Sequence, residues 1–448
     1  MTPLPWIGLL AALLQPGPTA EEARAALDRA VDFMATEVAC EGGYLWRYSE
    51  DLTVFEGEGP ATATHIWIQP PGTPAVGMAY YEVWRLLGDP AYMSAAQAAG
   101  HALVEAQLAC GGWDYHYNFD PDAADGYYTL LDSLAGTDPV GRNQGTMDDN
   151  NTQSALLCLA WLNATEPDPA FQRAVDAAVD FFVEAQMDNG AWPQRYPDPM
   201  GYAAFPTFND ATINDIMKTL KTVGDLTGRA DAHDAVLRAG EFILLSQGEP
   251  PQAGWAQQYD ESLEPAWARK FEPPAWCPAV TARNINSLID LYHWTGEERW
   301  LEPIPPAIEW LETCRLEDGR WPRFVEPGTN DPLYFTSDYD LVKTDDDLPT
   351  HYSFQGTYGV PAAIERYRRT TGHPPTPPPP AEVSRVPEPT GPAASAYIEE
   401  HADTVASIIA GQDDRGVWVE DGWIECRTVI RNIQELAAYV WAAEGVGE

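Results

Sequence analysis

Apolar residues along this chain recur mainly at helical spacing. Ala23, Leu27, Ala30, Met34 and Val38 share one face of a helix over 23–38, and Phe171, Val175, Val179 and Phe182 share one face of another. A further helix opens at Pro74, apolar helices are expected over 155–162 and 213–220, and turns such as Leu87-Gly88-Asp89-Pro90 and Leu226-Thr227-Gly228 separate neighbours. Alternating strand patterns are few, with one short hairpin expected around Tyr334-Phe335. Between helices, a glycine turn leads into a short aromatic segment: Gly42-Gly43-Tyr44, Gly111-Gly112-Trp113, Gly190-Ala191-Trp192, Gly254-Trp255, Gly319-Arg320-Trp321 and Gly416-Val417-Trp418. The preceding helix repeats too, since Pro90, Val104-Glu105-Ala106-Gln107 and Trp113 stand in the same register as Pro169, Val183-Glu184-Ala185-Gln186 and Trp192. Each repeat then holds two helices and a decorated loop. Antiparallel pairs stacked side by side predict an all-α fold, an α/α toroid with its glycine–tryptophan loops on one rim.

The chain ends depart from this pattern. The apolar run Trp6 to Leu14, too short for a bilayer span and followed by Pro18-Thr19-Ala20, reads as a secretory signal peptide over 1–20, although it carries no Lys or Arg before the run. The toroid then occupies 21–372, and Pro374-Pro375-Thr376-Pro377-Pro378-Pro379-Pro380 marks a stiff connector over 373–395. A C-terminal helical segment over 396–448, with a last helix from about Arg427 to Trp441, either completes the ring or packs outside it.

Charge narrows the partners. The net charge is −42, from 26 basic and 68 acidic residues, which argues against nucleic acid or an anionic membrane surface. Lysine is confined to Lys218, Lys221, Lys270 and Lys343, a balance that suits either solubility at high salt or the Arg-over-Lys bias of a GC-rich genome. Six cysteines lack any CxxC spacing for zinc. Cys40 and Cys110, at equivalent places before their glycine turns, either face each other or stay as idle thiols like the rest.

Two segments carry chemistry. Thr146-Met147-Asp148-Asp149-Asn150-Asn151-Thr152 and Thr207-Phe208-Asn209-Asp210-Ala211-Thr212 each put Thr-x-x-Asp at the entrance of a helix. Asp, Asn and Thr are ordinary helix caps, but two matched cases hold more acceptors than capping needs. Carboxylates projected from adjacent helix starts converge on a hard cation, and an oxygen-only set favours calcium over zinc. An Asp-Asp pair on a helical fold also fits the magnesium-diphosphate site of terpene cyclases, though the Asp-Asp-x-x-Asp spacing is missing and polar aromatic loops suit a sugar better. A third segment, Trp267-Ala268-Arg269-Lys270-Phe271-Glu272, is either a salt-bridge cluster or an anion site.

Taken together, Gly190 to Tyr196, Thr207 to Asp210, Asp148 to Thr152, Trp255 to Asp260, Ala268 to Pro274, Leu333 to Tyr339 and Asp345 to Tyr352 resemble the polysaccharide lyases of family 10, the pectate or pectic acid lyases, over most of 24–370. The resemblance implies calcium-assisted β-elimination of polygalacturonate to 4,5-unsaturated oligogalacturonides, by a monomer that is secreted or periplasmic. It implies Asp148, Asp149 and Asp210 as Ca2+ ligands and Arg269 with Asp210 as the catalytic pair. Asp149, Asn150, Trp192, Arg195, Asn209, Lys270, Arg323 and Tyr339 would bind substrate. Two departures stand out: Ser337 replaces an arginine expected to hold a substrate carboxylate, and Ala275-Trp276-Cys277-Pro278 replaces a Gly/Ser-rich turn. A weakly catalytic carbohydrate-binding toroid and an α/α-barrel glycoside hydrolase are the alternatives, with Arg323 or Lys343 available to cover the missing contact.

Overall fold

Every glycine–tryptophan turn joins an outer helix to an inner one, and the indole anchors the joint. The computed structural model describes residues 17–123, 126–387 and 391–445, so the expected signal peptide lies almost wholly outside the described residues. The helices are α1 (Ala20–Phe33), α2 (Thr73–Leu87), α3 (Pro90–Ala106), the short α4 (Leu130–Ala135), α5 (Asn151–Thr165), α6 (Pro169–Ala185), α7 (Thr212–Thr227), α8 (Ala230–Leu245), α9 (Pro278–Thr295), α10 (Ile304–Thr313), α11 (Val360–Thr370), α12 (Pro392–Ala410) and α13 (Cys426–Glu444). Inner helices follow one another as α13, α2, α5, α7, α9 and α11, while α1, α3, α6, α8, α10 and α12 pack outside. This is the all-α toroid that the periodicity predicts. The helix expected over 23–38 instead starts at Ala20, capped by Thr19 and Glu22, and ends in a wider turn over Met34–Val38.

Two side-chain devices repeat around the ring. Trp113, Trp192, Trp255, Trp321 and Trp418 each donate an indole N–H, at 2.7–2.8 Å, to a carbonyl of the preceding outer helix: Leu103, Phe182, Ile243, Leu311 and Ile408. In the first repeat Tyr44 holds that position and bonds Tyr80 instead. A glutamine just past the outer helix then stitches its turn to the next repeat. Gln107 donates to Gly111 and to Ala174 of α6, and Gln186 to Gly190 and to Ala235 of α8. Gln247 donates to Ala253 and Pro303. Gln412 donates to Gly416 at 2.6 Å and to Ala26 of α1 at 2.8 Å, so the segment over 396–448 packs into the ring beside the first helix. Gly111 and Gly190 take positive φ because the turn passes so close to the next outer helix that a Cβ would lie 2.2 Å from the Ala177 or Arg238 carbonyl oxygen.

Gln412→Ala strands two carbonyls at the joint between last and first repeats. It is expected to lower stability by about 1–3 kcal/mol in urea titration; an unchanged midpoint would show that the helix contacts alone hold the joint.

The turn after α10 carries Arg315 where four other repeats have glutamine; its Nε donates to its own Gly319 at 3.3 Å and its guanidinium lies 5.3 Å from the centre of the Trp321 ring. The proline-rich connector crosses the ring at the end opposite the glycine turns. There the Thr376 N–H meets His293 of α9 at 3.0 Å, the Ala381 N–H meets Asp225 of α7 at 3.0 Å, and Ser384 accepts from Arg85 of α2 at 2.9 Å. On the glycine-turn rim, Trp423–Glu425 pairs with Arg47–Ser49 in a four-stranded sheet joining last and first repeats. The expected hairpin is present as Pro332–Phe335 between Phe324–Val325 and Leu341–Val342, above a small second core of Ala275, Phe324, Leu333, Tyr334, Phe335 and Phe354. All six cysteines are free thiols, Cys40 and Cys110 included. No helix among the described residues is long and apolar enough to cross a membrane.

Candidate active site

The two acidic motifs are one structure built twice. Thr146 hangs from the Trp113 carbonyl and Met147 from Gln194 of the next turn; Thr207 hangs from Trp192 and Phe208 from Gln257 of the turn after that. The chain then tightens into a single turn in which Asp149 and Asn150, or Asp210 and Ala211, have positive φ. Four consecutive-pair residues other than glycine in that region represent stored strain, which neighbouring structure must hold in place. Helices α5 and α7 start immediately after, and neither has a side-chain cap at its first residue. The carboxylates are therefore not capping their helices but project from them.

They project to one place. One carboxylate oxygen from each of Asp148, Asp149 and Asp210 lies within 4.8 Å of the others. Tyr115 donates to Asp148 at 3.1 Å, and the other Asp148 oxygen is buried without a partner. Burial, then the charges of Asp210 and Asp149, push Asp148 up to about 7, with Arg269 opposing. Burial, then Asp210 and Glu58, push Asp149 up to about 6. Three crowded acids at the positive ends of two helices, one with an orphaned oxygen, suit a divalent cation of the hard, oxygen-seeking class.

Arg269 closes the cluster. The two residues that the resemblance pairs are in direct contact, the Arg269 Nη2 donating to Asp210 at 3.0 Å. Its other partner is Glu272, 1% exposed, which accepts from Nε at 2.9 Å, Nη2 at 3.0 Å and the Arg269 amide at 3.1 Å. Tyr352 and Gln257 also donate to Glu272, at 3.1 and 3.3 Å. Burial works against the Arg269 charge, but the hydrogen bonds and charge of Glu272, with Asp210, outweigh it and hold the guanidinium well above its ordinary value.

Cations flank the cluster on both sides, each on an aromatic face. Arg195 lies 5.7 Å from the centre of the Tyr115 ring and 3.7 Å from buried Asp114. Arg323 lies 3.8 Å from the centre of the Tyr352 ring with its Nε buried and unpartnered. Lys270 lies 3.4 Å from the centre of the Tyr339 ring.

Comparison with known proteins bears directly on this constellation. Residues 129–332 match the pectic acid lyase family model. The resemblance read from the motifs is thereby borne out over the span that carries Asp148, Asp149, Asp210, Arg269 and Arg323. Among solved structures, a mutant family 10 polysaccharide lyase from Cellvibrio cellulosa in complex with trigalacturonic acid superposes with a TM-score of 0.50 at 18% identity, covering 67% of this chain and 99% of that one. The family 10 polysaccharide lyase from the same organism gives 0.49 at 19% identity, over 66% and 97%. At such identity the first superposition speaks for the shared toroid. No curated protein sequence matches this chain significantly.

Within the pectic acid lyase span, two expected substrate contacts need correcting. Trp192 is 0% exposed, its indole spent on the Phe182 carbonyl, so it holds the turn and cannot touch a sugar. Asn209 is 1% exposed and bonds Asp210 at 2.8 Å while accepting from Gln257, so it orients a carboxylate instead of meeting substrate. Asn150 is part-exposed beside the acids. Sequence reasoning missed Tyr115 and Tyr352, which point hydroxyls at Asp148 and Glu272, and it read Glu272 only as a surface salt-bridge partner. The available signal was position: Tyr115 stands two residues past an anchoring tryptophan, and Glu272 three past Arg269, the spacing at which the Arg269 guanidinium folds back onto it.

Proposed function

We propose that this chain is a pectate lyase, secreted or periplasmic, that cleaves polygalacturonate by calcium-assisted β-elimination to 4,5-unsaturated oligogalacturonides. The observation that carries the reading is the meeting of Asp148, Asp149 and Asp210 within 4.8 Å, with Arg269 bonded to Asp210. Those three aspartates would hold Ca2+, which on binding neutralises a galacturonate carboxylate and so acidifies the adjacent C5–H. In the elimination, the C5 proton leaves to a base, the electron pair forms the C4–C5 double bond, and the C4–O bond breaks with the oxygen taking up a proton.

The protein side of that chemistry rests on Arg269. Charged, as Glu272 and Asp210 hold it here, it stabilises negative charge building on the substrate carboxylate. To accept the C5 proton, as the resemblance implies, it must first give one up, which ties turnover to alkaline pH. Arg323 supplies the substrate-carboxylate contact in place of an arginine at position 337. Its Nε is buried with no partner among the described residues, whereas Lys343 is committed to Glu326 at 2.8 Å and Asp331 at 2.6 Å. Ser337 itself bonds Asp347 at 3.0 Å. Ser337→Arg is accordingly expected to tighten oligogalacturonate binding by roughly 1.5 kcal/mol, the low end for a charged hydrogen bond because Asp347 competes for the new side chain. A larger gain would mean that Arg323 does not fill the role.

The deciding assay follows unsaturated, ultraviolet-absorbing product from polygalacturonate with calcium and with a chelator. Product that requires calcium supports the lyase; new reducing ends without absorbance support a hydrolase, and binding without either supports a carbohydrate-binding toroid.

A further inference from the structure

Every lysine but one in this acidic chain is matched to a carboxylate. Lys218 bonds Asp215 at 3.4 Å, Lys221 bonds Asp225 at 2.6 Å, and Lys343 bonds Glu326 and Asp331. Lys270 has no acid within hydrogen-bonding reach among the described residues, although 68 acidic residues share the chain with 26 basic ones. Its ammonium lies instead over the face of Tyr339 at 3.4 Å. A ring face holds a cation in place through its quadrupole without using any of the three N–H donors. The charge is thus positioned and its hydrogen-bonding capacity left open.

The ring is itself held at a cost. Tyr339 has φ of 69°, in a turn closed by its own N–H to Thr336 at 2.8 Å and by the Asp340 N–H to the Thr336 hydroxyl at 3.1 Å. A non-glycine aromatic residue at positive φ is strained, and such strain gathers where a side chain must be presented. The Phe271 ring packs 5.6 Å from Tyr339 and 5.0 Å from Tyr352, with the Arg269 guanidinium 5.6 Å from its centre. Successive residues Arg269 and Lys270 therefore turn apart, one to Asp210 and one outward to Tyr339.

Resting on the lyase reading above, we propose that Lys270 on Tyr339 is a separate subsite for a second uronate carboxylate, other than the one beside the bond that breaks. Through it, affinity depends on chain length and on free acid groups at more than one ring. A methyl ester there removes the charge that Lys270 reads.

The test is calorimetric titration with di-, tri- and tetragalacturonate in calcium, in an Arg269→Lys background so that substrate is not consumed. Lys270→Gln is expected to weaken the longest oligomer about five- to tenfold and the shortest one that binds less than about twofold, with Lys270→Arg restoring affinity. Tyr339→Leu, which removes the seat and leaves the lysine, should reproduce the chain-length-dependent loss. Equal losses at every length, or none, overturn the subsite while leaving the lyase reading intact. If the protein with Lys270 binds no oligogalacturonate at all, the lyase reading fails and the subsite with it.

Discussion

Arg269→Lys is expected to collapse turnover on polygalacturonate by roughly 100-fold or more, the scale of losing a positioned acid–base group, while oligogalacturonate affinity falls far less. Lysine keeps the charge but not the planar fork that reaches Glu272 and Asp210 at once. A pH profile makes the prediction specific. Because Glu272 and Asp210 hold the guanidinium charged, its neutral form is scarce at neutral pH and grows about tenfold per unit of pH. Wild-type turnover should therefore climb with pH through the alkaline range, and the lysine variant should lose that limb or move it. A flat wild-type profile between pH 7 and 10 would remove Arg269 from the proton-transfer role and leave it as an electrostatic stabiliser.

The second large effect lies in the acid cluster, and it trades function against stability. Asp148 is pushed up to about 7 and Asp149 to about 6, both first by burial and then by neighbouring carboxylates. A carboxyl raised in the folded state binds its proton more tightly there than in the unfolded chain. Stability is therefore lost as pH rises from about 3.8 to about 7, the cost is complete above that, and acidification toward pH 5 recovers much of it. Metal-free protein should melt at higher temperature at pH 5 than at pH 8, and calcium should reverse that order by replacing the protons. Asp148→Asn is expected to stabilise the metal-free protein at pH 8 by roughly 2–4 kcal/mol while abolishing the calcium response of both melting and activity. A variant that keeps its calcium-dependent shift in melting temperature would rule Asp148 out as a ligand.

Much of the architecture was legible because the repeat writes the same physics several times over. An indole N–H buried at a turn needs an acceptor, and a glycine one or two residues earlier marks where the chain passes close to a neighbour; together they locate the rim. The paired Thr-x-x-Asp motifs were legible for the same reason, being two copies of one strained turn. What the residues could not reveal is direction. Trp192 and Arg195 stand three apart in one motif, yet the first points into the core and the second over Tyr115. Asn209 and Asp210 are adjacent, and only the positive φ at Asp210 decides which faces the cluster. Glu272 looked like one more surface acid, because its burial depends on Tyr352 arriving from 80 residues along the chain and on the loop folding Gln257 back over it. The place of the last two helices was undecidable for a similar reason: Gln412 and its acceptor Ala26 are 386 residues apart.

That separation shapes how the molecule can be made. On a ribosome, α1 emerges early, and the helix that covers its flank, α13, emerges after some 400 further residues have been synthesised. At translation rates of about 5–20 residues per second, α1 and α2 wait tens of seconds with an apolar side uncovered. Intermediate repeats can assemble in order, each against the one just made, with mostly local contacts. Completion of the ring is the exception, a single long-range event that carries the entropy of bringing distant segments together. Chaperone demand, and vulnerability to proteases, should therefore concentrate in that interval.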